Sequence, residues 1–93
     1  MEKNVIVLHV TDNVATAIND LKQGDTIGVG NASLKAAENV PFGHKVALKA
    51  IPRGNEIIKY GETIGVALED IAIGACVHVH NVESLRGRGD LPQ

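Results

Sequence analysis

The chain alternates short apolar runs with glycine-centred breaks, and the spacing of apolar positions changes along its length. Residues 4–10 hold Val5, Ile6, Val7, Leu8 and Val10, a nearly continuous β-branched stretch that predicts a strand buried on both faces. Thr11-Asp12-Asn13 then supplies a helix N-cap, and Val14, Ala15, Ala17, Ile18 and Leu21 follow at helical spacing, which predicts a short helix ending at Gly24. Residues 25–30 predict a short strand, and residues 33–38 a short segment of either type. Pro41-Phe42-Gly43 signals a turn, residues 45–51 an extended apolar segment, and Pro52-Arg53-Gly54 another turn. Residues 56–60 read as a further strand ended by Gly61, residues 64–68 carry small and apolar side chains, and residues 71–74 lead into a last strand carrying His78 and His80.

One pattern recurs three times, beginning at Ala17, Ala47 and Ala67: Ala, apolar, two variable, Leu or Ile, two variable, Gly, two variable, Ile or Val. Each copy drops an apolar turn, reverses at a glycine free to take positive φ, and starts a strand. The unequal offsets between copies argue against a solenoid. The expectation is a mainly β domain with short helices over residues 1–85. A polar, glycine-rich stretch that includes Arg86-Gly87-Arg88-Gly89-Asp90 then reads as a flexible C-terminal tail, residues 86–93.

Composition narrows the function classes. A chain of 93 residues makes one domain with a modest core, burying roughly 60 to 65% of its unfolded surface. The apolar content is Val, Ile, Leu and Ala, with one Phe, one Tyr and no Trp, so there is little to stack on bases. A net charge of -2 with both signs scattered gives no basic stripe, and no nucleic-acid partner is expected. Cys76 is the only cysteine, which rules out an intrachain disulfide. No apolar run approaches a membrane span, and no basic n-region opens the chain. These features predict a cytoplasmic protein with no membrane partner.

Candidate chemistry concentrates in Val77-His78-Val79-His80-Asn81. On an extended strand His78 and His80 point the same way, about 7 Å apart, while Val77 and Val79 face the core. Two readings stay open: a pair of nitrogen ligands for one divalent ion, or hydrogen-bonding residues on a half-exposed face. One cysteine cannot complete a closed structural zinc site. Asn81 adds an amide that orients a ligand or closes a turn. Gly43-His44-Lys45 is the second candidate, with an imidazole that exchanges protons near neutral pH and an ammonium that meets a carboxylate, or else an ordinary solvated turn. His9, Asp12 and Asn13 lie beside that site or serve as a cap. Tyr60 reads as packing and Cys76 as inert core. Arg88-Gly89-Asp90 spells an adhesion tripeptide by chance. No glycine-rich phosphate loop, nucleophile elbow or metalloprotease helix motif is present.

Asp12-Asn13-Val14-Ala15, Gly43-His44-Lys45-Val46-Ala47-Leu48, Ile58-Lys59-Tyr60-Gly61 with Ile64-Gly65, and His78-Val79-His80-Asn81 resemble, in order and spacing, the SAF domain that opens altronate and galactarate dehydratases. The resemblance covers nearly all of residues 5–90. The short chain looks like the stand-alone small subunit of a split enzyme, as in sulfolactate sulfo-lyase, and the paired histidines favour the altronate or sulfolactate side. It implies a SAF-type β-clip fold similar to type III antifreeze protein. It also implies a lyase that removes water or sulfite from a 2-hydroxy acid with the help of a divalent metal, iron or else manganese, shared with a large catalytic subunit. In that scheme His78 and His80 touch the metal, and His44 orients the leaving hydroxyl. Lys45 steers the anionic substrate, and Asp12, Asn13 and Asn81 line its binding site. A free-standing ligand- or metal-binding module is the alternative, and homo-oligomerisation stays open.

Overall fold

Wherever the repeat occurs, the backbone performs the same manoeuvre. The computed structural model describes residues 4–84, and among them there are nine short strands and no helix. The strands are β1 (Val5–Ile6), β2 (Val14–Ala17), β3 (Thr26–Val29), β4 (Ala32–Lys35), β5 (Lys45–Ala47), β6 (Glu56–Lys59), β7 (Glu62–Ala67), β8 (Cys76–Val77) and β9 (Val82–Ser84). They form a four-stranded sheet β1-β2-β5-β8, a hairpin β3-β4 and a three-stranded sheet β6-β7-β9, with every pairing antiparallel.

After β2, β4, β5 and β7 the chain bends, makes one isolated bridge at an apolar residue and turns at a glycine into the next strand. The bridging residues are Leu21, Val40, Ile51 and Ile71. The glycines are Gly24, Gly43, Gly54 and Gly74, with φ of 91°, 87°, 89° and 83°. Side chains rarely tolerate that conformation. A fourth copy of the pattern, with Ala36, Val40, Gly43 and Val46 in the shared frame, thus joins the three that the sequence shows.

The copies pair two by two. Leu21 and Val40 exchange N–H···O bonds of 2.8 Å in both directions, and so do Ile51 and Ile71. Around the first bridge the Gly24 N–H donates to the Ala36 carbonyl while the Gly43 N–H donates to that of Ala17. Around the second, Gly54 donates to Ala67 and Gly74 to Ala47. Side chains finish the crossings: Asp20 accepts from the Phe42 N–H, Asn39 from that of Gln23, and Asp70 from that of Arg53. The fourth such position is Ala50, which has no acceptor to offer.

The central sheet separates two apolar clusters, because successive residues on a strand face opposite ways. Val5, Ala15, Ala17, Val46 and Cys76 join Leu21, Ile27, Ala36 and Val40 on one side. Val14, Ala47 and Val77 join Ile51, Ile57, Ala67, Ile71 and Ala75 on the other. This explains β2. Its residues are apolar at nearly every position because both faces are covered, and the run imitates the spacing of a helix without forming one.

The structure therefore keeps the mainly β expectation and corrects the helical elements. The first strand is also shorter than expected: only Val5–Ile6 pairs, and Val7, Leu8 and Val10 are exposed, Val10 at 95%. A strand at the edge of the sheet with nothing above it does not bury its far residues. The stretch with His78 and His80 is corrected too, since β8 ends at Val77 and residues 78–81 form a turn. Residues 86–93 lie outside the described residues.

Glycine tolerance differs between copies. A Cβ on Gly54 would meet nothing within 4 Å, whereas one on Gly74 would collide with the Lys35 carbonyl oxygen, where the second pair of copies abuts the first. Gly54→Ala is expected to cost about 1–2 kcal/mol from backbone strain alone. Gly74→Ala is expected to cost about 4 kcal/mol, strain and overpacking together. Urea unfolding of the two variants checks the order, and equal losses would contradict this account of the junction.

Candidate functional site

The β5–β8 register pairs Lys45 with Val77 and Val46 with Cys76. One step further along the same antiparallel register, His44 meets His78. Their rings stack with centroids 4.0 Å apart and planes 15° from parallel. Both lie on the face of the first apolar cluster, and Cys76 Sγ approaches His44 Nδ1 at 3.9 Å from the buried side. Lys45 pairs with Thr16 on its other flank and leaves the sheet on the opposite face. His44 and Lys45, neighbours in sequence, thus serve two sides of the same sheet end.

His80 is exposed in the turn after β8, and Val79 beside it is 78% exposed rather than anchored in the core. The cause is Asn81. Its Oδ1 accepts from the His78 N–H at 2.9 Å, its Nδ2 donates to the Cys76 carbonyl at 2.9 Å, and its N–H donates to the His78 carbonyl at 3.0 Å. These bonds reverse the chain before a second strand face can form. His78 and His80 are therefore neighbours in a turn rather than alternate residues of a strand.

Asp12 and Asn13 are buried and bonded to a different hairpin. Asp12 Oδ1 accepts from the Gly61 N–H at 2.8 Å and Oδ2 from the Tyr60 N–H at 3.2 Å. That turn has two left-handed residues, Tyr60 at φ 59° and Gly61 at φ 72°. A tyrosine there is strained, and the carboxylate holds it. Asn13 Oδ1 accepts from the Ile58 N–H at 2.7 Å and Nδ2 donates to the Glu56 carbonyl at 2.8 Å. It spans the shift in register between Ile57 and Ile58 in β6. His9 packs its ring against Gly61.

The charged groups acting on His78 are all positive. Burial lowers the pKa of His78 below the ordinary imidazole value, and His44, Lys45 and His80 lower it further. Burial also lowers the pKa of Lys45, and Lys59 adds to the effect while Cys76 opposes it. No carboxylate is among the groups acting on either residue. Burial and Glu38 push the Cys76 thiol up, against Lys45, so it stays protonated and inert. Lys59 and Thr16 belong to this end and were not singled out from the sequence. Lys59 had a signal in Lys59-Tyr60-Gly61; Thr16 had none, because its placement depends on the β2–β5 register.

A metal ion would find a partial set of ligands here. Among the described residues no group of three or more His, Cys, Asp or Glu is arranged to hold one. His78 and His80 offer two imidazoles, so the donor chemistry fits half of a site and no more.

Two interlocked pairs of clip-like turns, with stacked histidines at one end of the central sheet, define a small β-clip domain. The chain belongs to the altronate/galactarate dehydratase SAF domain family, whose pattern matches residues 3–85. Over 79 residues it is 46% identical to altronate dehydratase of Escherichia coli K12, covering 85% of this chain and 16% of that protein. It is 47% identical over 74 residues to galactarate dehydratase (L-threo-forming) of the same strain, covering 77% of this chain and 14% of the relative. Its identity to (2R)-sulfolactate sulfo-lyase subunit alpha of Paracoccus pantotrophus is 47% over 53 residues, 57% of this chain and 79% of that subunit. The chain thus spans about one-sixth of the altronate dehydratase it matches.

Asp12 gives this region its own pH signature. Burial pushes its carboxyl up, but the N–H groups of Gly61, Tyr60, Leu8 and His9 together outweigh burial and hold the pKa below the ordinary carboxylate value. A depressed native pKa stabilises the fold above the ordinary range, and that stability is lost as pH falls through the native value. Asp12→Ala is expected to cost about 2 kcal/mol at pH 7. Asp12→Asn is expected to flatten the acid limb of stability against pH, as followed by urea midpoints. An unchanged acid limb would refute the role of this carboxylate.

Proposed function

We propose that this domain is the SAF component of a hydroxy-acid lyase and that its histidine end closes onto substrate held by a much larger catalytic region. The His44–His78 stack carries this reading: two imidazoles fixed 4.0 Å apart at the end of β5 that also bears Lys45, with no carboxylate among the groups acting on His78. The reaction is loss of water from a sugar acid such as altronate, or of sulfite from sulfolactate. Relatives named as dehydratases and as a sulfo-lyase subunit support that class. The setting is the cytoplasm.

In this scheme His44 donates to or orients the leaving hydroxyl, held in place by the stack. Lys45 draws in the anionic substrate, and desolvation strengthens its attraction for a carboxylate. Asp12, Asn13 and Asn81 serve the substrate by fixing the backbone of the two turns that border it. His78 and His80 hold one side of a divalent metal, iron or manganese, whose other ligands come from the catalytic region. When bound, the ion supplies Lewis-acid polarisation of the substrate carboxylate and hydroxyl. The charge around Lys45 and Lys59 favours carboxylates as those missing ligands, since a dication beside unpaired ammonium groups needs anionic compensation.

Co-expression with a large lyase chain from the same genome tests the proposal, with 2-keto acid formation from altronate and sulfite release from sulfolactate as readouts. The expected result is a stable complex in which His44→Gln and His78→Ala each lower kcat by about a hundredfold or more without dissolving it. Full activity after replacement of both His78 and His80 would reduce the domain to an assembly role. Failure of any large chain to bind would remove the proposal.

A further inference from the structure

We propose that the face of the sheet end opposite the stacked histidines carries an anion-binding site built from Lys45, Lys59 and the Thr16 hydroxyl, and that it takes a carboxylate of a small hydroxy acid. Thr16 and Lys45 are direct cross-strand partners, so their side chains leave the sheet together on the side of the second apolar cluster. Strand β6 is tied over that side by the Asn13 N–H, which donates to the Ile58 carbonyl at 3.2 Å. The next residue, Lys59, comes within electrostatic reach of Lys45 and makes its ammonium harder to keep protonated.

Three observations point to a ligand. Thr16 Oγ1 is buried and has no hydrogen-bond partner, a state that destabilises a protein until the hydroxyl is met. Neither lysine forms an ion pair among the described residues, not even Lys59 with its cross-strand partner Glu62. Lys59 Nζ instead hangs 4.9 Å over the Tyr60 ring, an arrangement that restrains the ammonium and leaves its protons free. Two half-buried cations and one unpartnered hydroxyl are the donors that a carboxylate accepts. Because His44 and Lys45 are adjacent, the two faces meet at the end of β5. Lys45 thus anchors an acid one residue along the chain from the imidazole face. This deepens the lyase reading and rests on it only for the identity of the acid, since the site lies wholly within this chain.

NMR titration of the full chain with malate tests the site, with ionic strength held constant by sodium chloride. The expected result is saturable shifts at Thr16, Lys45 and Lys59 with millimolar affinity, and an upward movement of the Lys45 ammonium titration on binding. Lys45→Met should weaken binding about tenfold and Thr16→Val severalfold, whereas Lys22→Met, on an exposed turn, should leave it unchanged. Lys59→Met, at the strand end, serves as the second variant if Lys45→Met does not fold. Absence of saturation, or an equal response to chloride alone, overturns the site. Binding of inorganic phosphate but not malate overturns its assignment to carboxylates. A failed search for a large lyase chain would leave malate binding untouched, and loss of malate binding would leave complex formation untouched, so the two proposals fail separately.

Discussion

Two reciprocal backbone bridges, Leu21 with Val40 and Ile51 with Ile71, are the constraint on which the rest of the structure depends. With no helix among the described residues, backbone groups that enter the interior must find partners across the chain. Each bridge meets that need where two loops cross, and the surrounding bonds run in matched pairs, so that neither loop is held without holding the other. The bridging side chains are themselves core residues of the two apolar clusters. Hydrogen bonding and apolar burial are thereby satisfied at the same four positions. The short strands, some only two residues long, are stable because the crossings fix where each begins.

The candidate site inherits its geometry from those crossings. The turn at Gly43 sets the start of β5 and hence the place of His44. The turn at Gly74 sets the start of β8 and hence the place of His78. One belongs to each pair of copies, and the bonds from Gly74 and Ala47 lock the two strands in register. The imidazole stack is a consequence of how the halves interlock, so its precision does not rest on a mobile loop. Asn81 and Asp12 extend the same logic to the two bordering turns, where a buried polar side chain satisfies backbone groups that a longer strand would have paired.

Charge gives this end its direction. Burial and neighbouring positive groups make His78 and Lys45 harder to protonate, and no carboxylate is among the groups acting on either. Like charges are gathered against their own repulsion, and an anionic partner relieves it. That holds whether the anion is a substrate carboxylate or an acidic ligand brought by a catalytic region.

The sequence alone determined the β-rich character, the glycine turns at 24, 54 and 74, and the residues of the family pattern, because local spacing and glycine conformation act within a few residues. It placed His44, Lys45, His78 and His80 among the candidates for the same reason. Only the tertiary structure decided the rest. The apolar run after Asn13 became a strand because both faces of the central sheet are covered, a fact invisible to a local reading of spacing. The fourth copy of the repeat emerged from its pairing with the first. His44 and His78, far apart in the chain, stacked because one antiparallel register carried them together, and the same register sent Lys45 to the other face beside Thr16. Local chemistry chose the residues, and long-range pairing chose which of them meet.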